Sequence, residues 1–252
     1  MTQPIENELQ KIQFYVTAPY PCSYLSNQLA QSLIATPQHL VDAYQYSGLI
    51  QQGFRRSGSF VYRPHCENCN ACIPVRLPVN AFKPSRSQKR AFKAHSDLEV
   101  SIHAIGFEEA HFSLYKLYQA SRHEADLEQE TAEQYQNFLA KSNVDSVFVT
   151  FKEQGILKMV SVIDIVEDGI SAVYTFYDTE DKQASYGTYS VMLLIAWCQR
   201  LGLPYLYLGY WIKESKKMNY KTHFKPFELF INNEWRSFNS EHDTIQLLNN
   251  IK

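Results

Sequence analysis

The chain has 252 residues, 45% hydrophobic and 20% charged, which is ordinary for a globular protein and enough to bury a core. A net charge of −2 argues against broad nonspecific nucleic-acid binding, and so against a DNA partner, while leaving room for a local basic patch. The polar start MTQPIENELQ does not read as a secretory leader, and the longest apolar run, VMLLIAW, is too short to span a bilayer, so the expected setting is the cytoplasm, away from membranes.

Up to about Val79 the chain is rich in turns and short elements. Thr36-Pro37 predicts a helix opening, with Thr36 as N-cap and Pro37 in the first helical position, running through LVDAYQYSG to about Gly48. GFRRSGSFVYRP reads as extended and a cysteine loop follows. Val75, Leu77 and Val79 then alternate as a strand, which Pro78 would confine to an edge or a strand end. The basic stretch AFKPSRSQKRAFKAHSD is a linker or an exposed helix, and the domain boundary is expected there. Residues 1–82 would form a smaller cysteine-containing unit and 83–252 a second one.

The second unit is more regular. Phe112, Leu114, Tyr115 and Tyr118 mark a helix over 108–124, and Thr131 caps a shorter one reaching Ala140. A β-meander follows over 146–152, 156–166 and 170–178, with turns at Gly155 and at Asp168-Gly169. An amphipathic helix over 188–201, closed by Gly202 and Pro204, leads into a strand over 205–211. This is an α+β chain whose element order is that of acetyltransferase-like (GNAT) domains. In an acyl-CoA enzyme of that kind, a glycine-rich turn before the long helix cradles pyrophosphate. Here that segment reads DTEDKQASYGT, with one glycine and three acidic residues, so acyl-CoA is a poor fit as donor.

Cys66, Cys69 and Cys72 follow a strict three-residue step, the spacing of zinc and iron–sulfur sites, with Cys22 or His65 available as fourth ligand. The alternative is a set of reduced thiols, some buried as small hydrophobes. Arg55, Arg56, Arg63 and Arg76 bracket this loop; a guanidinium offers a planar fork to carboxylate or phosphate, and surface arginines are also common. Arg86, Lys89, Arg90 and Lys93 fall at helical spacing as one basic stripe, suited to RNA backbone or to a solvated face. Lys213, Lys216, Lys217 and Lys221 follow the last strand with Tyr210, Trp211 and Tyr220 among them, a pattern that stacks bases and meets phosphates at a single-stranded end.

These segments carry a resemblance. GFRRSG, VYRPHC with ACIPVR, RSQ with KR, Arg122-His123, AVYTFYD, GTYSV and LGLPYLYLGYWI with the following KM and YK resemble the bacterial aspartate/glutamate leucyltransferases, relatives of the eukaryotic arginyl-tRNA–protein transferases. The resemblance implies that leucine moves from leucyl-tRNA to proteins whose N-terminus is Asp or Glu, creating a destabilising N-terminus for N-degron proteolysis. It also implies an acetyltransferase-like C-terminal domain. For that reaction the candidates are Tyr210, Lys213, Lys217, Tyr220 and Lys221 on the tRNA end, with Thr188 of GTYSV as a further substrate contact. Arg55, Arg56, Arg76 or Arg122 would clamp the acceptor carboxylate, and His123, Tyr174 or Asp178 would handle a proton. The chemistry requires no cofactor, while zinc or an iron–sulfur cluster would sit on Cys22, Cys66, Cys69 and Cys72. Where the eukaryotic relatives carry CxxC near the N-terminus, Cys22-Ser23-Tyr24-Leu25 keeps only the first cysteine. Two rivals are a transferase of arginine, whose donor pocket needs buried carboxylates, and a noncatalytic metal-containing tRNA-binding module.

Overall fold

Strands from both expected units build one eight-stranded sheet, and the functional region lies where two of them part. The computed structural model describes residues 11–123, 130–181, 183–240 and 243. Its strands are β1 (Gln13–Val16), β2 (Tyr20–Pro21), β3 (Leu29–Ala30), β4 (Ser32–Thr36), β5 (Arg55–Ser57), β6 (Phe60–Pro64) and β7 (Ile73–Pro78), then β8 (Glu99–Ala104), β9 (Ser146–Glu153), β10 (Ile156–Val166), β11 (Gly169–Tyr177), β12 (Tyr205–Trp211), β13 (Phe227–Ile231) and β14 (Glu234–Phe238). The helices are α1 (Ala43–Gln51), α2 (Arg86–Ala94), α3 (Glu109–His123), α4 (Ala132–Tyr135) and α5 (Tyr186–Leu201). The large sheet runs β14-β13-β7-β12-β11-β10-β9-β8, and a four-stranded antiparallel sheet runs β1-β4-β6-β5.

The meander forms as its turn chemistry dictates. Gln154 and Gly155 both adopt positive φ (51° and 80°), the pair of conformations that a tight hairpin between twisted strands needs. Successive residues of the meander then face opposite sides of the sheet. Val149, Phe151, Met159 and Ile163 pack under Tyr189, Met192 and Ile195 of α5, while Phe148, Val160, Val162 and Phe176 pack under Phe112 and Tyr115 of α3. Gly202, in the left-handed conformation (φ 70°), ends α5. A third cluster joins Tyr46, Leu49 and Ile50 of α1 to Val61, Val166 and Tyr207, which fastens the small sheet to the large one.

Two expectations are corrected. β7 lies on the N-terminal side of the expected 82/83 boundary, and its backbone pairs with β12 on one side and β13 on the other, so residues 1–82 contribute an interior strand to the large sheet. Pro78 is tolerated there as the last residue of that strand, and β7 is interior rather than an edge. Thr36 does not cap a helix, because its backbone is engaged in β4 opposite Gln13. Asp42 caps α1 instead, accepting from the N–H groups of Tyr44 and Gln45, and Gly48 lies inside the helix. The basic stretch is a helix, α2, opened by a reciprocal capping box between Ser85 and Gln88. Among the described residues no helix is long and apolar enough to cross a membrane.

Candidate functional site

β11 and β12 are parallel neighbours only over residues 169–171 and 205–207. Beyond that point β11 follows β10 to Tyr177 while β12 follows β7 to Trp211, and the two strands part. Arg55, from β5 of the small sheet, fills the opening. Its Nη2 donates to the carbonyl of Ala172 at 2.7 Å, the first β11 residue past the paired stretch. Its guanidinium lies against Gly209 of β12, where a Cβ would stand 3.0 Å from the Arg55 Cζ. Gly209 also has φ +84°, a conformation that L side chains rarely adopt, so backbone and neighbour both require glycine. Arg55 is 9% exposed; its Nη1 has no hydrogen-bond partner, and no carboxylate pairs with it among the described residues.

A second buried cation stands beside it. Lys221 is 5% exposed and its Nζ donates to the carbonyl of Tyr210 on β12 at 2.6 Å. Burial, and then the like charge of Arg55, push its ammonium down to about 7, with Cys72 opposing the shift. Tyrosines enclose the pair. Burial raises the hydroxyls of Tyr24 and Tyr62, and the positive charge of Arg55 partly offsets this in both. Tyr62 packs on Tyr210 with ring centroids 6.4 Å apart, and the Tyr210 hydroxyl donates to the carbonyl of Gly53 at 2.9 Å. Farther along β11, Tyr118 of α3 lies 5.0 Å from Tyr177 and 6.4 Å from Tyr174 between centroids. Burial keeps the Tyr174 hydroxyl strongly protonated, and it donates to Gln119 Oε1 at 3.4 Å.

Next to this opening is a cavity of about 830 Å³, bounded by the β2–β3 hairpin, the cysteine loop and the end of β12. Tyr24, Tyr62, Trp211 and Phe230 supply much of its wall, and among the described residues Glu214, which is exposed, is the one acidic side chain lining it.

The sequence candidates divide clearly. Tyr210, Lys221 and Arg55 meet at the opening, with Tyr220, 45% exposed, close enough to feel the charge of Arg55. Lys213 is exposed on the cavity rim, and Lys217 is exposed in the segment that follows β12. Arg122 is exposed, its Cζ 5.7 Å from the Tyr177 ring centroid. Thr188 is half-buried in the first turn of α5. The side chain of His123 lies outside the described residues.

Three others are already engaged elsewhere. Arg56 points away from the opening into a buried ion pair with Asp164 at 2.7 Å and also donates to the carbonyls of Gly58 and Lys141. Arg76 donates to Glu228 at 2.7 Å and stacks over Tyr205 (3.5 Å) and Trp235 (4.3 Å). Asp178 is bound to Lys158 at 2.7 Å; burial works to raise its carboxyl, but the hydrogen bonds from Lys158 and the Glu180 N–H outweigh it and hold the group below its ordinary value. Tyr24, Tyr62, Tyr118 and Tyr177 join the site without having stood out in the sequence. Tyr62 and Tyr177 lie in the quoted segments VYRPHC and AVYTFYD and Tyr118 in the predicted helix, but their common signal was the high tyrosine content, since tyrosine suits half-buried positions.

Cys22, Cys66, Cys69 and Cys72 line the same cavity, and burial followed by the other three sulfurs pushes the Cys72 thiol up to about 12. The donor set is thus gathered. It is not arranged as a coordination sphere: among the described residues no group of three His, Cys, Asp or Glu side chains is placed to hold a metal ion.

Fold and site together define an α+β protein with an opening between two parallel strands that holds two buried basic side chains and, among the described residues, no carboxylate paired with either, a place where ligands enter such sheets. Residues 20–90 match the family model described as arginine-tRNA-protein transferase, N terminus, and residues 110–231 match that of its C terminus. An aspartate/glutamate leucyltransferase of Methylobacillus flagellatus is 64% identical over 96% of this chain and 98% of its own length. One from Nitrosospira multiformis is 52% identical over 89% and 90% of the two chains. A solved structure, that of L-PGS from Bacillus licheniformis, covers 72% of this chain and 65% of its own at 11% identity and a TM-score of 0.46. The chain belongs to the arginine-tRNA-protein transferase family.

Proposed function

We propose that this chain is a cytoplasmic aminoacyl-tRNA–protein transferase that moves leucine from leucyl-tRNA to the α-amine of proteins beginning with Asp or Glu, so marking them for N-degron proteolysis. The observation that carries this assignment is Arg55, a buried guanidinium with an unpartnered Nη1 beside a second buried cation. A buried charge without a partner is costly, and an acidic N-terminal side chain is the ligand that relieves it. Asn or Gln at the same place would leave the cations uncompensated, forfeiting about 1.5–3 kcal/mol of charge-assisted hydrogen bonding. The names of the relatives, aspartate/glutamate leucyltransferase, support the same substrates. The antiparallel meander, the crossover helix α5 and a parallel strand that parts from its neighbour support an acetyltransferase-like arrangement.

Leucine is favoured over arginine as the transferred residue by the cavity. An arginyl side chain needs a buried carboxylate, and among the described residues the one acid in the lining, Glu214, is exposed. A leucyl side chain needs only apolar wall, at about 1.5–3 kcal/mol for full burial.

In the reaction the acceptor α-amine attacks the aminoacyl carbonyl, a C–N bond forms, and the ester C–O bond breaks. The proton leaves the amine and ends on the ribose oxygen of the tRNA 3′ end. An α-amine of pKa about 7.7–8.0 is partly neutral at cellular pH and the ester is already activated, so orientation supplies most of the rate and no cofactor is required. Arg55 and Lys221 orient the acceptor through its carboxylate. Tyr174, kept protonated, can donate to the developing oxyanion by turning its hydroxyl from Gln119, but cannot act as a base. Lys213, Lys217 and Tyr220 hold the tRNA end from the exposed edge.

A transfer assay tests this, using labelled leucyl-tRNA or arginyl-tRNA and peptides beginning with Asp, Glu, Asn or Ala. Leucine joined to the Asp and Glu peptides alone is expected. Arginine transfer would overturn the donor assignment, and tRNA binding without product would leave a noncatalytic binding module.

A further inference from the structure

We propose that the basic face of α2, continued by the exposed Lys83, Lys216 and Lys225, holds the double-stranded acceptor arm of the donor tRNA; this rests on the tRNA-dependent reaction above. α2 has two distinct sides. One is used up in the protein: Gln88 is buried with its Nε2 donating to the carbonyl of His223 at 3.1 Å, and Phe92 packs on Tyr189 of α5 at 5.7 Å between centroids. The other presents Arg86, Lys89, Arg90 and Lys93, all exposed. At these spacings they form one stripe, about 10 Å from first to last along the helix axis. None of the four makes an ion pair among the described residues.

The second segment runs alongside. The N–H of Lys83 donates to the carbonyl of Lys225 at 3.1 Å, and the Gln88–His223 bond ties the helix to the same stretch. Residues 83–93 and 216–225 together carry nine of the chain's 24 lysines and arginines and none of its 26 acidic residues. In a protein of net charge −2, that segregation concentrates positive field on one surface. Like charges three and four apart weaken an isolated helix, so the stripe is a local cost that a polyanion relieves.

A phosphate backbone fits better than a lipid surface. A basic helix lies in a membrane interface by burying a free apolar face, and the apolar face of α2 is already occupied by α5. Helical RNA is held by contacts to its backbone and 2′-hydroxyls, which require cations rather than shaped pockets. The segment Lys216–His223 also connects this surface to the strand opening: Lys216 is exposed, and Lys221 reaches the Tyr210 carbonyl. An arm lying on α2 would thereby deliver its single-stranded 3′ end toward Arg55.

The test replaces Arg86, Lys89, Arg90 and Lys93 together by Gln, all exposed positions, with unfolding in urea to check the fold. The transfer kinetics with leucyl-tRNA are then compared with direct binding of an uncharged acceptor-stem minihelix and of the trinucleotide CCA. The expected result is a KM for leucyl-tRNA raised at least 30-fold with kcat within twofold. Minihelix binding should weaken in step, with its salt slope shallower by about 3 on log–log axes, and CCA binding should be unchanged. Equal losses for minihelix and CCA would overturn the proposal, since the strand opening itself would then be damaged. Unchanged minihelix binding would overturn it too, whether the face is merely solvated or binds anionic phosphatidylglycerol vesicles instead. If the unsubstituted protein transfers no leucine, the proposed reaction fails, while the minihelix comparison still decides the role of α2.

Discussion

Arg55 donates to the carbonyl of Ala172 at the residue where β11 ceases to pair with β12, so one side chain from the small sheet occupies the gap in the large one. Its neighbour Arg56 turns to the other side of β5 and pairs with Asp164. The two arginines therefore make opposite predictions. Arg55→Met should cut the preference for Asp-initiated over Asn-initiated peptides by about 10- to 100-fold, the value of one lost charge-assisted contact. Arg56→Met strands a buried Asp164 carboxylate and should cost about 3–5 kcal/mol of stability with the acceptor preference intact. Urea unfolding and paired-peptide competition separate them, and a selective loss in the Arg56 variant would reverse the assignment.

Gly209→Ala meets two obstacles, a φ of +84° and the Arg55 guanidinium 3.0 Å from the new Cβ. A destabilisation of about 1–3 kcal/mol is expected, with weakened Asp selectivity as Arg55 is displaced. A variant with ordinary stability and selectivity would mean that Arg55 does not depend on this contact.

Lys221 lies buried at 5% exposure with its ammonium lowered to about 7 from 10.5, so below pH 7 the folded protein carries the full cost of a buried charge. Between pH 7 and 10.5 the unfolded chain binds more protons than the folded one, and stability attributable to this residue rises with pH. Lys221→Met should therefore stabilise the protein at pH 6 by about 1–3 kcal/mol, the gain shrinking above pH 7 and vanishing near 10.5, while transfer to Asp peptides falls. Thermal unfolding across pH reads the first effect. A stability gain that grows with pH would contradict the placement of the group.

Asp178 is held as a carboxylate by Lys158, with its group below the ordinary range, and so makes a poor proton acceptor at neutral pH. Asp178→Asn should leave kcat within about threefold. Its contribution to stability is present above the unfolded carboxyl pKa of about 3.9 and is lost as pH falls through the lower folded value. Loss of kcat by two orders of magnitude would return Asp178 to the proton path.

Much of this architecture was legible because it is local. The Gln154-Gly155 turn, the Thr131 cap and Gly202 behind α5 act within a few residues of themselves, and each stands where the pattern placed it. β8 had no such signal: its partner β9 lies far along the chain, and β8 is exposed along its length. β13 and β14 form a local hairpin whose Asn232-Asn233 turn went unread, and only the pairing of β13 with β7 is long-range. β7 was read as a strand but not as an interior one, because Pro78 speaks for its own N–H and not for the residues before it.

The same division governs the site. From the residues alone came the inventory: tyrosines, an arginine-rich hairpin, thiols at a three-residue step and a lysine cluster after the last strand. Which of these meet was settled by tertiary structure. Adjacent strand residues face opposite ways, so a hairpin shift of one residue would have sent Arg56 to Ala172 and Arg55 to Asp164. Likewise Lys221 became a buried cation, and its neighbours Lys216 and Lys217 exposed ones, through the path of the backbone past Tyr210. Local sequence determines what a segment can form, and long-range packing determines which charges are removed from water and set against one another.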